Sequence, residues 1–191
     1  HKIIKNRKKY NELIWWGYSL NIYNNNIEIK RQISFMKECF KKIKKVLAIC
    51  WGMQVAVTAA GGKVKKGVYG SHIGIANNIQ LTRDGQINSF YKDKSNDFNS
   101  PAFNFDEVVT TPNNAIHLAS NKINKIQSLY FKTGVSEIWG LQYHPEITYE
   151  KMIAIINFRK DILINKRKRF KDENEVNKHI NFIEEEINTS K

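Results

Sequence analysis

The spacing of apolar positions changes several times along this chain, and each change marks an element. Residues 46–49 (Val46, Leu47, Ala48, Ile49) form an unbroken apolar run without polar alternation, the pattern of a strand buried on both faces of a parallel sheet. Residues 54–60 are small and alanine-rich, and Gly61 with Gly62 ends them as a helix C-cap would. Upstream, Ile29, Ile33, Met36, Phe40 and Ile43 recur at three- and four-residue steps, with Lys and Arg on the other face. That periodicity predicts an amphipathic helix within 24–45. Residues 11–16 predict a buried strand that breaks at Gly17, and residues 1–10 a basic helix or tail. Downstream, the pattern predicts short strands within 63–82, a hairpin turn at Arg83, Asp84 and Gly85 leading into 86–91, and an exposed loop over 92–101. Further strands are expected over 103–110, 115–120, 126–131 and 137–143, then a helix over 148–164 with Thr148 as its cap. Val176, Ile180, Ile183 and Ile187 fall four, three and four residues apart, which predicts a C-terminal helix that docks on the domain or is offered to a partner.

Chemistry enters where the first of these strands ends. Cys50 stands at the turn from the strand into the Ala-rich helix, with Gly52 two residues on. A thiol at a helix N-terminus lies in the positive end of the macrodipole, near backbone N–H groups, and both favour the nucleophilic thiolate. A sharp strand-to-helix turn also lifts a side chain out of the sheet, as the nucleophile elbow of serine hydrolases does. Gly52 leaves room for close approach of backbone or substrate. The alternative is a small apolar cysteine in a core.

A second stretch bears on that choice. Gly140, Leu141, Gln142, Tyr143, His144, Pro145 and Glu146 follow an apolar, aromatic run. A cysteine nucleophile needs a base and a third group to orient it. His144 and Glu146 supply both types within three residues, and Pro145 between them restricts the backbone.

Cys50, Trp51, Gly52, Met53 and Gln54, followed by Gly61 and Gly62, resemble one signature motif of the class I (triad) glutamine amidotransferases. The stretch from Gly140 to Glu146 resembles the other. The resemblance is to domains of the GMP synthase and anthranilate synthase type, and it runs from about residue 10 to about residue 160. It implies an α/β, flavodoxin-like fold, a mostly parallel sheet flanked by helices with a small antiparallel extension. It implies hydrolysis of glutamine to glutamate and ammonia, with Cys50, His144 and Glu146 as the catalytic triad. It places the oxyanion hole at the backbone N–H of Trp51 with one near Gly17 or Tyr18, and substrate-binding roles at Gly52 and Gln54. No metal or organic cofactor is required, and the ammonia passes to a synthetase, here on a separate chain. Two departures accompany the likeness. Where the family carries a Gly-Gly-Pro turn, this chain has Trp15, Trp16, Gly17, Tyr18 and Ser19. The residues before this point are also too few for the strand-helix unit that opens the family domain, as in a truncated chain or in a sheet that lacks its first strand-helix unit. Two other readings stay open: a γ-glutamyl amide hydrolase of the same fold, and a domain that keeps the triad without turnover.

Composition sets the remaining bounds. The chain has 191 residues, enough for one amidotransferase-like domain (1–164) followed by a basic linker and amphipathic helix (165–191). It begins with His1 rather than Met, as a fragment or a processed chain would. No apolar run approaches the roughly 20 residues that span a bilayer, so no membrane partner is expected. The two cysteines, Cys39 and Cys50, do not make a disulfide scaffold, and a reducing cytoplasm is the expected compartment. The net charge of +13 is spread along the chain, with denser clusters at 2–9 and 166–169, and specific nucleic-acid binding is not expected.

Overall fold

The computed structural model describes residues 10–17, 20–24 and 26–189. In chain order the elements are β1 (Glu12–Trp15), α1 (Ile27–Cys39), β2 (Lys45–Ile49), α2 (Trp51–Ala59), β3 (Lys63–Lys66) and β4 (His72–Leu81). There follow a short α3 (Arg83–Ile87), β5 (Asp97–Asn104), β6 (Asp106–Thr110), β7 (Ile116–Ser120), β8 (Ser128–Thr133) and β9 (Ser136–Leu141). The chain closes with α4 (Tyr149–Phe158), a π-helical turn (Ile162–Lys166) and α5 (Glu173–Thr189). Seven strands form one sheet in the order β1-β2-β9-β8-β7-β4-β5, and β3 pairs with β6 in a second, small sheet.

The α/β architecture expected from the sequence is present. Its parallel part comprises β1, β2 and β9. The antiparallel extension is larger than the small one expected, since the remaining pairings of the main sheet, from β9 through β8, β7 and β4 to β5, are all antiparallel. One cause is that residues 97–101 do not form the loop their polarity suggests. They open β5, where Phe98, Ser100 and Ala102 pair opposite Ile79, Ala76 and Gly74 of β4. Pro101 is tolerated because β5 lies at the edge of the sheet.

Residues 83–85 are also not a hairpin turn. Thr82 caps α3 by accepting from the Gly85 N–H at 3.0 Å and donates to the His117 carbonyl at 2.6 Å. Gly85 serves close packing: a Cβ there would lie 2.0 Å from the Leu118 carbonyl oxygen. The helix expected within 24–45 is shorter than its apolar period. It starts at the Asn26 cap, whose side chain accepts from the Ile29 N–H, and ends at Cys39. Beyond it the Lys44 and Lys45 N–H groups turn to bond the Asn11 carbonyl and lead into β2.

The main core lies where α1 and α2 cover the parallel strands, with Ile29, Met36, Val46, Met53, Val57 and Ile138 buried together. Gly140 lets α2 approach β9, because a Cβ there would lie 2.9 Å from Met53 Cγ. A second cluster seats α5: Val176, Ile180 and Ile183 bury against Ile73, Ile75, Ile156 and Leu163. The expected stripe of the C-terminal helix is therefore its packed face. The expected tail at 1–9 lies outside the described residues. Among the described residues, no helix is long and apolar enough to cross a membrane.

Candidate active site

Two adjacent parallel strands deliver the sequence-predicted residues. β2 and β9 pair in register, Ile49 opposite Leu141, so the chain beyond each strand emerges at one edge of the sheet. The Cys50 N–H bonds the Leu141 carbonyl at 2.6 Å, which ties the end of one strand to the other. Beyond it, Gln142 N–H bonds the Gln127 carbonyl and His144 N–H the Pro101 carbonyl, holding 142–144 against the antiparallel strands.

Cys50 is the N-cap of α2 and has φ 51 and ψ −107, a backbone geometry that non-glycine residues seldom adopt. That turn projects the sulfur away from β2, at the N-terminal end of a helix whose next residues, Trp51, Gly52, Met53 and Gln54, are all buried. The two cysteines thus part company. Cys39 sits in the core, where burial pushes its thiol up to about 11. Cys50 lines a pocket.

The imidazole of His144 lies between Cys50 and Glu146. Nδ1 is 2.7 Å from Glu146 Oε1, which assigns the Nδ1 proton to that bond and leaves Nε2 for the thiol. Burial alone disfavours the charged imidazole, but hydrogen bonding and charge at Cys50 and Glu146 outweigh it and hold the group up to about 10. The sulfur has two further polar neighbours: the Phe103 carbonyl at 3.8 Å and Gln142 Nε2 at 3.5 Å. Gln142 is fully buried, and its Oε1 accepts from Gln54 Nε2 at 3.4 Å, which also reaches the Asp106 carbonyl at 3.4 Å. The sequence-predicted Gln54 is therefore one link away from the sulfur. Gln142 lies within the second motif, but sequence reasoning gives it no role. Its one signal is its position, two residues before the histidine.

Gly52 meets β1 rather than open space. A Cβ there would lie 2.0 Å from the Trp15 carbonyl oxygen, so the first turn of α2 and the loop after β1 are pressed together. Gly17, in that loop, has φ 62. Tyr18, its expected companion in the oxyanion hole, lies outside the described residues.

The pocket beside the sulfur has a volume of about 350 Å³. Cys50, Trp51 and Gln54 form one side of its wall, and Phe103, Phe105, Leu20, Phe158, Ile162 and Leu163 give it a largely apolar lining. Its charged groups are Asp106, Arg159 and Arg167. His144 and Glu146 are not part of this wall. Burial pushes the Asp106 carboxyl up, opposed by a 3.0 Å hydrogen bond from the Tyr23 hydroxyl and by the charges of Arg167 and Lys66. Among the described residues, no cluster of three or more His, Cys, Asp or Glu side chains could hold a metal ion.

The family model for glutamine amidotransferase class-I matches residues 21–160. The chain belongs to that family. This amidotransferase-family chain is 33% identical over 142 residues to the gamma-glutamyl-L-1-hydroxyisopropylamide hydrolase of a Pseudomonas species, covering 73% of this chain and 48% of the relative. It is 31% identical over 104 residues to a subunit of the glutamine-hydrolyzing GMP synthase of Methanococcus vannielii, covering 54% of this chain and 51% of that protein. The chain thus spans about half the length of these relatives. In fold it is similar to a glutamine amidotransferase from Thermotoga maritima, with a TM-score of 0.71 at 22% identity over 93% of this chain and 71% of the other.

Proposed function

We propose that this chain hydrolyses the side-chain amide of glutamine, or of a γ-glutamyl amide, through a thioester on Cys50. The observation that carries the reading is one line of contacts, Glu146 to His144 to Cys50, beside a pocket that the sulfur lines. The Cys50 thiolate attacks the amide carbon. The tetrahedral oxyanion is held by the Trp51 N–H at the start of α2, with a second N–H from the loop at Gly17 or Tyr18. His144 gives its Nε2 proton to the departing amine, the C–N bond breaks, and a thioester to Cys50 remains. The now neutral imidazole takes a proton from water, which attacks the thioester and releases the acid. Glu146 fixes the tautomer and supports the imidazolium throughout.

Two observations favour a substituted γ-glutamyl amide over free glutamine as the preferred substrate. The pocket has more apolar wall than a departing ammonia requires, in Phe103, Phe105, Phe158 and Ile162. The gamma-glutamyl amide hydrolase relative is also similar over more of this chain than the GMP synthase relative quoted beside it. If free glutamine is the substrate, the likeness to the GMP synthase relative supports delivery of ammonia to a separate synthetase chain. Turnover that rises only with such a partner present is then expected.

The test measures ammonia and amine release from glutamine and from N-substituted γ-glutamyl amides by the purified protein. Cys50→Ala is expected to abolish release, by about a thousandfold or more. Equal release by the Cys50→Ala protein would sink the proposal.

A further inference from the structure

The part of the chain matched to the family stops at residue 160, yet the pocket wall continues beyond it. Ile162, Leu163 and Arg167 all line the pocket, and they come from the π-helical turn Ile162–Lys166 and the residue after it. π-Helical turns are uncommon and concentrate at functional positions. Here the turn is closed by Arg167 N–H bonding the Ile162 carbonyl at 2.8 Å, which fixes where the Arg167 side chain departs. Its guanidinium carbon stands 4.7 Å from the centre of the Phe105 ring. Arg159 stands in the same way over Phe103, at 5.4 Å. Phe103 and Phe105 are two residues apart, one of them at the carbonyl that touches the Cys50 sulfur. The two cations therefore lie over two rings of one short segment, the end of β5 and the bend that follows it.

Arg167 is the notable member. Among the described residues its guanidinium makes no ion pair within 4.0 Å. Its charge is felt at Asp106 and Tyr23, but Asp106 takes its hydrogen bond from the Tyr23 hydroxyl instead. A guanidinium laid on an aromatic face is pre-organised, and its planar fork matches a carboxylate. Every γ-glutamyl substrate brings an α-carboxylate, and a γ-glutamyl amino acid brings a second one on the departing amine.

We propose that Arg167 anchors a carboxylate of the substrate, making the segment after residue 160 the specificity element of the pocket. This rests on the hydrolase reading above for its kinetic test, and a binding test separates the two. Arg167→Gln is compared with Arg167→Lys on L-glutamine, L-glutamine α-amide, γ-glutamylglycine and γ-glutamylethylamide. Because Arg167 is exposed at the rim, the expected loss is moderate: KM rises about tenfold in Arg167→Gln and part of it returns in Arg167→Lys. kcat stays within about twofold, as it does when an interaction common to ground and transition states is removed. An α-carboxylate contact shows as no loss on L-glutamine α-amide. A contact to the departing amine shows as loss on γ-glutamylglycine alone. An equal change on all four substrates, or none, would overturn the proposal.

The binding arm uses calorimetry of γ-glutamylglycine and L-glutamate with the Cys50→Ala protein. About tenfold weaker binding when Arg167→Gln is added supports the anchor even if wild-type protein hydrolyses nothing, which would remove the hydrolase reading alone. No binding to Cys50→Ala, or binding indifferent to Arg167→Gln, overturns the anchor.

Discussion

Gly52 and Trp15 are in backbone contact: a Cβ at residue 52 would stand 2.0 Å from the Trp15 carbonyl oxygen. That contact joins the end of β1 to the first turn of α2, the two segments on which the proposed oxyanion donors sit. Gly52→Ala must therefore move backbone, not a flexible side-chain tip. Overpacking of this kind costs about 1–3 kcal/mol. The variant is expected to unfold at lower urea and to lose activity out of proportion to stability, because the displaced loop carries Gly17. Unchanged urea midpoint and turnover would show that the contact relaxes freely.

His144 is expected to contribute to the alkaline limb of stability. Its folded value of about 10 lies above the roughly 6.5 of an unfolded chain. A raised value means that the stabilising interactions of the imidazolium are complete below about pH 6.5 and are lost as pH rises toward 10. Glu146→Gln removes one of the two groups that hold the proton, so its stability is expected to fall less steeply over that window than the wild type's. Urea midpoints across pH 7 to 10 for both proteins isolate this contribution from lysine titration, which they share. Parallel curves would mean that Glu146 does not hold the imidazolium.

Gln142 makes a sharper test of the sulfur's surroundings. It donates to Cys50 Sγ at 3.5 Å and accepts from Gln54 at 3.4 Å, with no exposure of its own. Gln142→Leu takes away a donor to the thiolate and leaves the triad untouched. Iodoacetamide alkylation of Cys50 at pH 7 is expected to slow roughly threefold to tenfold, as a lost charged hydrogen bond implies. An unchanged alkylation rate would show that the amide does not stabilise the sulfur anion.

These residues also show what could be read before any coordinates. The strand at 46–49, the elbow and the stripe at 176–187 were legible because burial on one or both faces leaves a direct periodic trace. Residues 50, 144 and 146 could be singled out together because their types match one chemistry. The opening of β5 was not, because residues 92–97 are polar and only pairing with β4 makes a strand of residues 97–104. Arg83, Asp84 and Gly85 misled because Gly85 is required by the Leu118 backbone and not by a turn. The outer wall of the pocket was hidden for a different reason. Arg159 and Arg167 sit in a basic stretch, and nothing local separates a solvated cation from one laid over a phenylalanine ring.

His72 is expected to contribute to the acid limb of stability. It is 2% exposed; Nδ1–H donates to Asn104 Oδ1 at 3.2 Å and Nε2 accepts from Asn121 Nδ2 at 2.9 Å. Asn104 Nδ2 in turn donates to the Asp106 carbonyl at 3.0 Å and to Asn124 Oδ1 at 2.9 Å. The imidazole is thus tied to the two residues, Asn104 and Asp106, that form part of the pocket wall. Burial pushes it down to about 4, against the opposing pull of its hydrogen bonds to Asn104 and Asn124. A depressed histidine is neutral in the fold and protonated more readily when unfolded. Its contribution is therefore present above about pH 6.5 and lost as pH falls toward 4, on the order of 3 kcal/mol at the acid end. His72→Gln cannot titrate, so its urea midpoint is expected to fall less between pH 6.5 and 4. It should start lower at neutral pH, by about 1–3 kcal/mol, for the buried partners left imperfectly paired. An identical acid slope in both proteins would place the acid sensitivity elsewhere. Loss of substrate affinity in His72→Gln at pH 7, with the alkylation rate of Cys50 unchanged, would show the network acting on the pocket wall rather than on the nucleophile.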